Sequence, residues 1–333
     1  MDNTSSLPGG QQVMVLPTGN THRDLSSRRR WLAAAALPLL SCTRHIPFIA
    51  HVTAIDPNSP TGKETGTAIQ DVLQGRELQL EPLHLHGNGH FVSFTRAAES
   101  VMESLKTLEP DLILAFGDEV MTHLVVPFLR QGPTPVIFGG VQWSANAYEV
   151  PNRFVTGIVE QPPVEDAIRM CLAGNRKAQD IFILAGDTPE VRRNRVHLDP
   201  IYWKNKLSTS YGLTPDFARW KRAFRWTNDN TDIVYFISNS GIAGWDDEEA
   251  LQHVRQYLRV PVFTCDPRLM PYAVAGRVND PREQGQWMAT QALRVLDGTE
   301  PGEIRLAYTS HSTPIHNAEL AAKIGFTPPE EGN

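Results

Sequence analysis

Carboxylate and amide side chains recur in this sequence directly after short apolar runs. Asp118, Asp187 and Asp266 each follow such a run, and Asn239 follows a fourth one. A carboxylate in a cleft can bind a ligand ammonium, because a charge taken out of water needs a partner of opposite sign. Each aspartate could instead cap the helix that comes next, and both roles stay open. Asn239 is the favoured ligand contact within its polar turn.

One tryptophan, Trp143, also lies just beyond an apolar run, within residues 139–144. An aromatic ring that lines a cleft stacks well on an apolar or aromatic ligand. Burial of the ring in a hydrophobic core is the alternative. We include Trp143 among the expected ligand contacts.

Residues 56–65 superficially evoke a phosphate-binding loop but lack its chemistry. That motif needs a glycine where Pro57 stands, and a serine or threonine where Glu64 follows the lysine, so we exclude nucleotide hydrolysis. The segment instead predicts a helix N-terminus, whose free N–H groups can face an anionic part of a ligand. A simple helix cap is the alternative. The expected ligand contacts in this segment are Asp56, Ser59 and Thr61.

The spacing His84-x-His86-x-x-x-His90 is the most metal-like pattern in the chain. Alternate residues of a strand share one face, and neutral imidazoles suit zinc. However, residues 87–89 are typical of a turn, and no carboxylate or cysteine lies in register, so we predict a solvated strand end. The sequence also lacks a Gly-x-Ser-x-Gly nucleophile elbow. We therefore expect no enzyme, no metal and no cofactor.

Composition argues against two further classes of protein. The 333 residues carry a net charge of −6, with a pI near 6.0 and no basic stripe, which speaks against a nucleic-acid partner. The three cysteines, Cys42, Cys171 and Cys265, show no metal-ligand spacing. Their odd number speaks against a disulfide framework. At most one bond, Cys171–Cys265, could form after export.

The N-terminal segment has the features of an export signal. Residues 1–27 are polar and lack periodicity, so we expect them to be unfolded. Ser27-Arg28-Arg29-Arg30-Trp31-Leu32 then leads into a short apolar run and small residues, as in a secretory signal. The order Ser-Arg-Arg-x-aromatic-Leu resembles a twin-arginine signal. We expect a protein of the periplasm or of the outer face of the cytoplasmic membrane.

The end of this segment, Leu39-Leu40-Ser41-Cys42, resembles a lipoprotein cleavage site. A lipid anchor at Cys42 therefore stays open. The apolar run is too short to span a bilayer, which takes about 20 residues. An amphipathic or disordered extension of a cytoplasmic protein is the alternative interpretation of residues 1–42.

Short apolar runs alternate with helical patterns from residue 46 onward. The runs are continuous, as is typical of strands buried on both faces of a parallel sheet. Parallel sheets bind ligands beyond the carboxyl ends of their strands, and these are the places where Gly, Asp, Asn and Ser collect. Two sets of strands predict an α/β fold with two lobes and a cleft between them. The runs lie at 46–55, 112–116, 136–138, 181–185, 233–237 and 262–264.

Six segments carry a likeness to a known family. They are Glu-Pro-Asp-Leu-Ile-Leu-Ala-Phe-Gly at 109–117, Thr-Pro-Val-Ile-Phe at 134–138, Phe-Val-Thr-Gly-Ile at 154–158, Arg-Val-Pro-Val-Phe at 259–263, residues 273–278, and Gln-Gly-Gln-Trp at 284–287. In their order and spacing they resemble the ABC transporter substrate-binding family, which includes tryptophan- and phenylalanine-binding members. The likeness covers residues 46–327.

The resemblance implies a type I periplasmic binding fold with two Rossmann-like lobes. The N-terminal lobe would hold 46–157 and 267–300, and the C-terminal lobe 158–266 and 301–327. It also implies an extracytoplasmic protein that binds a small organic solute, amino-acid-like or aromatic, in the cleft and passes it to an ABC permease and ATPase complex. A ligand-binding sensory protein that feeds a signalling partner is the alternative.

The chain departs from the family pattern at one expected ligand position. Family members usually carry Gly-Thr-x-Ala after the third strand, where this chain has Gly117-Asp118-Glu119-Val120. A carboxylate therefore replaces a hydroxyl. This replacement leaves the class of the solute open.

Overall fold

The computed structural model describes residues 45–86, 91–175 and 177–327. The expected export signal, Cys42 and His90 lie outside the described residues, so the predictions made for them stay predictions. None of the helices in the described ranges combines the length and the apolar character needed to cross a membrane.

Strands and helices alternate along the described chain. The strands are β1 Phe48–Thr53, β2 Gln79–His84, β3 Leu112–Phe116, β4 Val136–Gln142, β5 Val155–Glu160, β6 Asp180–Gly186, β7 Ser208–Thr214, β8 Ile233–Ser238, β9 Val262–Thr264, β10 Ala275–Asn279, β11 Ala307–Tyr308 and β12 Ser312–His316. The α-helices are α1 Pro60–Leu73, α2 Phe91–Leu108, α3 Asp118–Val120, α4 Val164–Gly174, α5 Pro189–Lys204, α6 Phe217–Asn230, α7 Asp247–Tyr257, α8 Pro281–Leu296 and α9 Ala318–Ile324. A π-helix, Met121–Leu129, continues α3, and 3-10 helices cover Asn146–Tyr148, Pro267–Tyr272 and Pro301–Glu303.

The first lobe is built on a sheet in the order β11-β5-β4-β3-β1-β2, in which every pair of strands is parallel. Its central strand β3 is buried throughout, and successive side chains enter different cores because strand residues alternate between the two faces. Ile113 and Ala115 pack beneath α2 and the π-helix. Leu112 and Leu114 pack beneath α1 and α8.

The second lobe repeats this construction with the order β12-β10-β9-β8-β6-β7. Phe182 and Leu184 of β6 face the core formed with α6, α7 and α9, whereas Ile181 and Ile183 face the core formed with α4 and α5. β12 runs antiparallel to β10, and the other pairs are parallel. The two layered sheets confirm the predicted α/β class with two lobes.

The chain crosses between the sheets at residues other than those expected. β5 stays in the first sheet to its end at Glu160, and β10 joins the second sheet by pairing with β9 and β12. β11 then returns to the first sheet beside β5. This pairing corrects the expected boundaries at 157, 266 and 300. An apolar pattern shows that a strand is buried, but tertiary contacts decide which strands become its neighbours.

Most of the helical segment that follows β3 is a π-helix. Pro127 lies inside it and has no N–H group to donate. At its end the Arg130 N–H donates to the Val125 carbonyl, five residues back, at 2.7 Å. Such wide turns are rare and often occur at functional sites. Here the π-helix carries Thr122 and His123 to the space between the lobes.

Candidate ligand-binding site

A cavity of about 480 Å³ lies between the two lobes. The first-lobe wall comes from the start of α3, the π-helix and the segment after β4, and the second-lobe wall is one face of α5. Small-molecule pockets have volumes of about 300–1,000 Å³, so the cavity is large enough for a ligand. Its polar lining includes Asp118, Thr122, Gln142, Tyr148, Glu190 and Arg193.

Asp118 supplies the carboxylate of the first-lobe wall. It follows β3 because Gly117, with a φ of 112°, turns the chain into α3. The Tyr148 hydroxyl donates a hydrogen bond to its Oδ1, and the Gln142 N–H donates one to its Oδ2 at 3.3 Å. Burial raises the pKa of Asp118 above its ordinary value, and the two hydrogen bonds oppose this rise without cancelling it.

Glu160 ends β5 and places a second carboxylate at the same edge of the first sheet. Asn279 Nδ2 donates to its Oε1 at 3.3 Å, and Gln284 Nε2 donates to its Oε2 at 3.4 Å. The Gln284 amide is oriented, because its Oε1 accepts a hydrogen bond from the Gly140 N–H at 2.7 Å. Burial raises the pKa of Glu160, and two nearby carboxylates raise it further against the effect of these amides.

The two nearby carboxylates are Asp118 and Asp266. Gln142 of β4 lies opposite Glu160 of β5 in the strand register and also donates its N–H to Asp118, so the end of β4 lies between the two strand ends that carry these acids. Asp266 follows β9, in the other lobe. Two predicted residues, Asp118 and Asp266, therefore converge on an unpredicted one, Glu160.

Acidic groups outnumber basic ones around the cavity. Glu190, on α5, has its pKa raised by burial and further by the charges of Asp118 and Glu119. The cations that act on Glu190 are Arg193 and Arg268. The resulting field is negative on balance and suits a ligand that carries positive charge.

Two of the predicted residues of the second lobe, Asp187 and Asp266, have arginine partners in their own lobe. Arg192 donates to both carboxylate oxygens of Asp187 at 2.7 and 2.8 Å, and its hydrogen bonds lower the pKa of Asp187. Asp266 pairs with Arg268 at 2.7 Å and caps a 3-10 helix. Asn239 lies half-buried after β8. None of these three predicted residues is in the wall of the cavity, so their ligand contact stays a prediction.

The predicted anion site at the start of α1 has the geometry of a helix cap. Ser59 Oγ accepts a hydrogen bond from the Gly62 N–H at 3.1 Å, and Asp56 Oδ1 accepts one from the Asn58 N–H at 2.9 Å. Asp56 is exposed and Thr61 is half-buried. The cavity wall contains none of the three predicted contacts of this segment.

Trp143 joins the lobes instead of lining the cavity. Its ring stacks on His197 of α5, with 5.6 Å between centroids and an interplanar angle of 1°, and it packs against the second-lobe core beneath α4 and α5. Its backbone has a φ of 63°, in the left-handed region that is uncommon for a bulky residue. The Trp143 N–H donates to the Glu160 carbonyl at 2.8 Å, which anchors this turn to the end of β5.

Sequence reasoning missed Glu160, Tyr148 and the α5 residues Glu190 and Arg193. Glu160 was within reach, because it directly follows five buried residues of β5 and the rule that selected Asp118 applies to it equally. The other three enter the cavity from a 3-10 turn and a helix face. Their orientation depends on packing, for which the sequence offers no local signal.

The described histidine and cysteine candidates have ordinary structural surroundings. In the described ranges, no group of three or more His, Cys, Asp or Glu residues is arranged to hold a metal ion. His84 and His86 stack on each other at 5.4 Å between ring centroids. Cys171 and Cys265 are free thiols, and burial raises the pKa of both, that of Cys265 to about 12.

A family model described as ABC transporter substrate binding protein matches residues 92–331, most of the chain. The chain belongs to this family. Its members bind small-molecule solutes for ABC transporters, outside the cytoplasm, and the predicted family is confirmed. A search of curated proteins found no match.

Solved structures of substrate-binding proteins share the fold of both lobes. An ABC domain from Streptococcus pneumonia in complex with L-Trp is 15% identical, with a TM-score of 0.67 over 86% of this chain and 97% of that one. A ligand-free, open substrate binding protein with adhesive properties from Clostridium difficile is 14% identical, with a TM-score of 0.69 over 86% and 98%. A solute binding protein from Agrobacterium vitis bound with alpha-D-tagatopyranose is 12% identical, with a TM-score of 0.57 over 85% and 100%. The type I periplasmic binding fold is confirmed.

Proposed function

We propose that this substrate-binding protein binds one small organic solute between its lobes, outside the cytoplasm, and delivers it to an ABC permease and ATPase complex. The observation that carries the proposal is the cavity of about 480 Å³ between the lobes. Its walls belong to different lobes joined by three chain crossings, so a hinge movement would open and close it. Such closure lets a transporter distinguish the loaded protein from the empty one.

The lining favours a polar solute of amino-acid or monosaccharide size. Related structures were solved with L-Trp and with alpha-D-tagatopyranose, which set that scale. Carboxylate, hydroxyl and guanidinium groups project from Asp118, Tyr148 and Arg193. The Trp143 ring, expected to stack on the ligand, instead stacks on His197 of the other lobe. An amino-acid-like solute therefore fits the lining better than a purely aromatic one.

Among the predicted ligand contacts, we retain Asp118 as a direct one. Asp266 lies across the cleft, where its charge raises the pKa of Glu160, and it forms an ion pair with Arg268 in its own lobe. We assign structural roles to Trp143 and Asp187, because the first stacks on a histidine and the second pairs with an arginine of the protein itself. Asp56, Ser59, Thr61 and Asn239 stay candidates for contacts made only in a more closed form.

We further propose that residues 1–42 export the chain to the periplasm or the outer face of the cytoplasmic membrane. The support is the order of basic, apolar and small residues from Ser27 to Cys42. Metabolic labelling with a fatty acid should show whether Cys42 is lipidated, with Cys42→Ser as the control. An unlabelled, freely soluble protein in the periplasm would contradict the lipid anchor at Cys42 but would support the proposed export.

Ligand-dependent closure tests the transport proposal. Exhaustively dialysed protein should gain thermal stability when a small-molecule extract of the native cells is added, because a ligand that binds only the folded state stabilises it. Small-angle scattering should then show a smaller radius of gyration. An unchanged melting temperature and an unchanged scattering curve would contradict a solute-binding role.

The identity of the protein partner separates transport from sensing. Cross-linking in native cells, followed by mass spectrometry, should recover a permease when the solute is present. Recovery of a membrane-bound signalling protein in place of a permease would favour the sensory alternative.

A further inference from the structure

Two carboxylates at the cleft, Asp118 and Glu160, receive hydrogen bonds only from neutral groups among the described residues. Asp118 receives hydrogen bonds from a hydroxyl and a backbone N–H, and Glu160 receives them from two side-chain amides. Within the described part of the chain, neither forms an ion pair with a lysine, arginine or histidine. Arg193 acts on Asp118 through its charge alone, without a hydrogen bond between the two side chains.

This arrangement is unfavourable without a bound solute. Moving a carboxylate out of water requires a compensating charge or strong hydrogen bonds. The Tyr148 hydroxyl supplies one such bond to Asp118, but the other donors to the two carboxylates are neutral and lie at 3.3–3.4 Å. Asp118 and Glu160 also repel each other across the end of β4, which lies between their strands. The pKa values of both carboxylates are raised because burial disfavours their charged forms more than the hydrogen bonds stabilise them.

We propose that the solute carries a positively charged nitrogen that binds the Asp118 carboxylate, with Glu160 reinforcing the attraction from the end of β5. The inference rests on the proposed solute-binding function and specifies the class of solute. Ammonium or amidinium N–H groups would form charge-assisted hydrogen bonds with Asp118, which lines the cavity. A neutral or purely anionic solute would leave both carboxylates uncompensated.

The proposal admits solutes that also carry a carboxylate. Arg193 lines the same cavity from α5 and is exposed. Its guanidinium could therefore bind an anionic group of the solute while Asp118 binds the cation. The required feature is the cation, which zwitterions and simple amines share.

A fractionated metabolite extract tests the class of solute before the solute is known. The extract is passed over a strong cation exchanger at about pH 3, where most carboxyl groups are protonated and amines and zwitterions are retained. Both fractions are neutralised and added to dialysed native protein. We expect the retained fraction to raise the melting temperature and the unretained fraction to have no effect.

The outcomes separate this proposal from the one on which it rests. Stabilisation by the unretained fraction alone would contradict the proposal of a cationic solute and would still support the solute-binding function. Stabilisation by neither fraction would contradict both. Stabilisation by the retained fraction supports both, and mass spectrometry of the bound component should find a basic nitrogen in it.

Matched variants connect the effect to the two carboxylates. Asp118→Asn should weaken binding of the retained component about ten- to hundredfold, as expected for loss of a charged hydrogen bond. Glu160→Gln should weaken it less, because Glu160 acts from behind the cavity wall. Asp229→Asn and Glu303→Gln remove the same charge at exposed positions and should leave affinity unchanged. Equal affinity for Asp118→Asn and Asp229→Asn, with both cooperatively folded, would refute the assignment.

Discussion

The hydroxyl of Tyr148 controls how readily Asp118 loses its proton. It donates to Asp118 Oδ1, and the only other described donor to this carboxylate is the Gln142 N–H. In Tyr148→Phe the ring remains and the donor is lost. The ionised form of Asp118 is then less stabilised, so the pKa of Asp118 should rise above its value in the native protein.

The size of the effect follows from the contact that is removed. A hydrogen bond to a charged group contributes about 1.5–3 kcal/mol, and water can replace part of it at a half-buried side chain. We therefore take the lower limit of this range. Because 1.36 kcal/mol corresponds to one pH unit, the proton affinity of the Asp118 carboxylate should increase about tenfold.

Carbon-13 NMR of aspartate-labelled protein measures the pKa of Asp118 directly, and the Asp118→Asn variant identifies its signal. Tyr211→Phe is the matched control, because the Tyr211 hydroxyl donates to Asp199 at 2.5 Å and neither residue lines the cavity. The titration midpoint of Asp118 should move upward in Tyr148→Phe and stay in place in Tyr211→Phe. An unmoved midpoint in Tyr148→Phe, or an equal movement in the control, would refute this account.

Three further predictions concern stability, closure and export. Burial raises the pKa of Glu160 in the folded protein, so its contribution to stability is present below the unfolded pKa and is lost as pH rises through the folded pKa. Ligand-free Glu160→Gln should therefore have a melting temperature no lower than that of the native protein at about pH 7, and any difference in melting temperature should vanish near about pH 4. Trp143→Ala removes the stack on His197, so scattering should show a larger radius of gyration without solute; an unchanged radius would argue that the lobes are held elsewhere. Replacing Arg28 and Arg29 by lysine should trap the protein in the cytoplasm on fractionation, and normal export would exclude the twin-arginine route but not secretion.

Much of the fold was predictable because buried parallel strands leave a strong local trace. The run at 112–116 coincides with β3, and the run at 262–264 coincides with β9. The short strands β11 and β12 left no comparable trace, since they lie at sheet edges where pairing rather than burial defines them. The expected lobe boundaries could not take account of β10 either, because no local pattern shows that it pairs with β9 and β12.

The candidate site was predictable only where it follows a strand. Asp118 satisfied that rule and lines the cavity, but Asp187 satisfied it equally and is paired with Arg192. Arg192 lies only five residues after Asp187, so a nearby arginine in the sequence was a signal that this carboxylate is paired. Tyr148 and Arg193 reach the cavity only through packing of a 3-10 turn and α5.

The late return of the chain to the first sheet constrains how this protein can be synthesised. β5 is complete at Glu160, yet the strand that covers its outer edge begins only at Ala307, and α8, which packs against α1, begins at Pro281. A nascent chain therefore leaves the ribosome with an uncovered strand edge and an incomplete core for much of its translation. Exposed edges of this kind recruit other strands and promote aggregation. The first lobe, although it is encoded first, must be among the last parts of the molecule to become protected from misassembly.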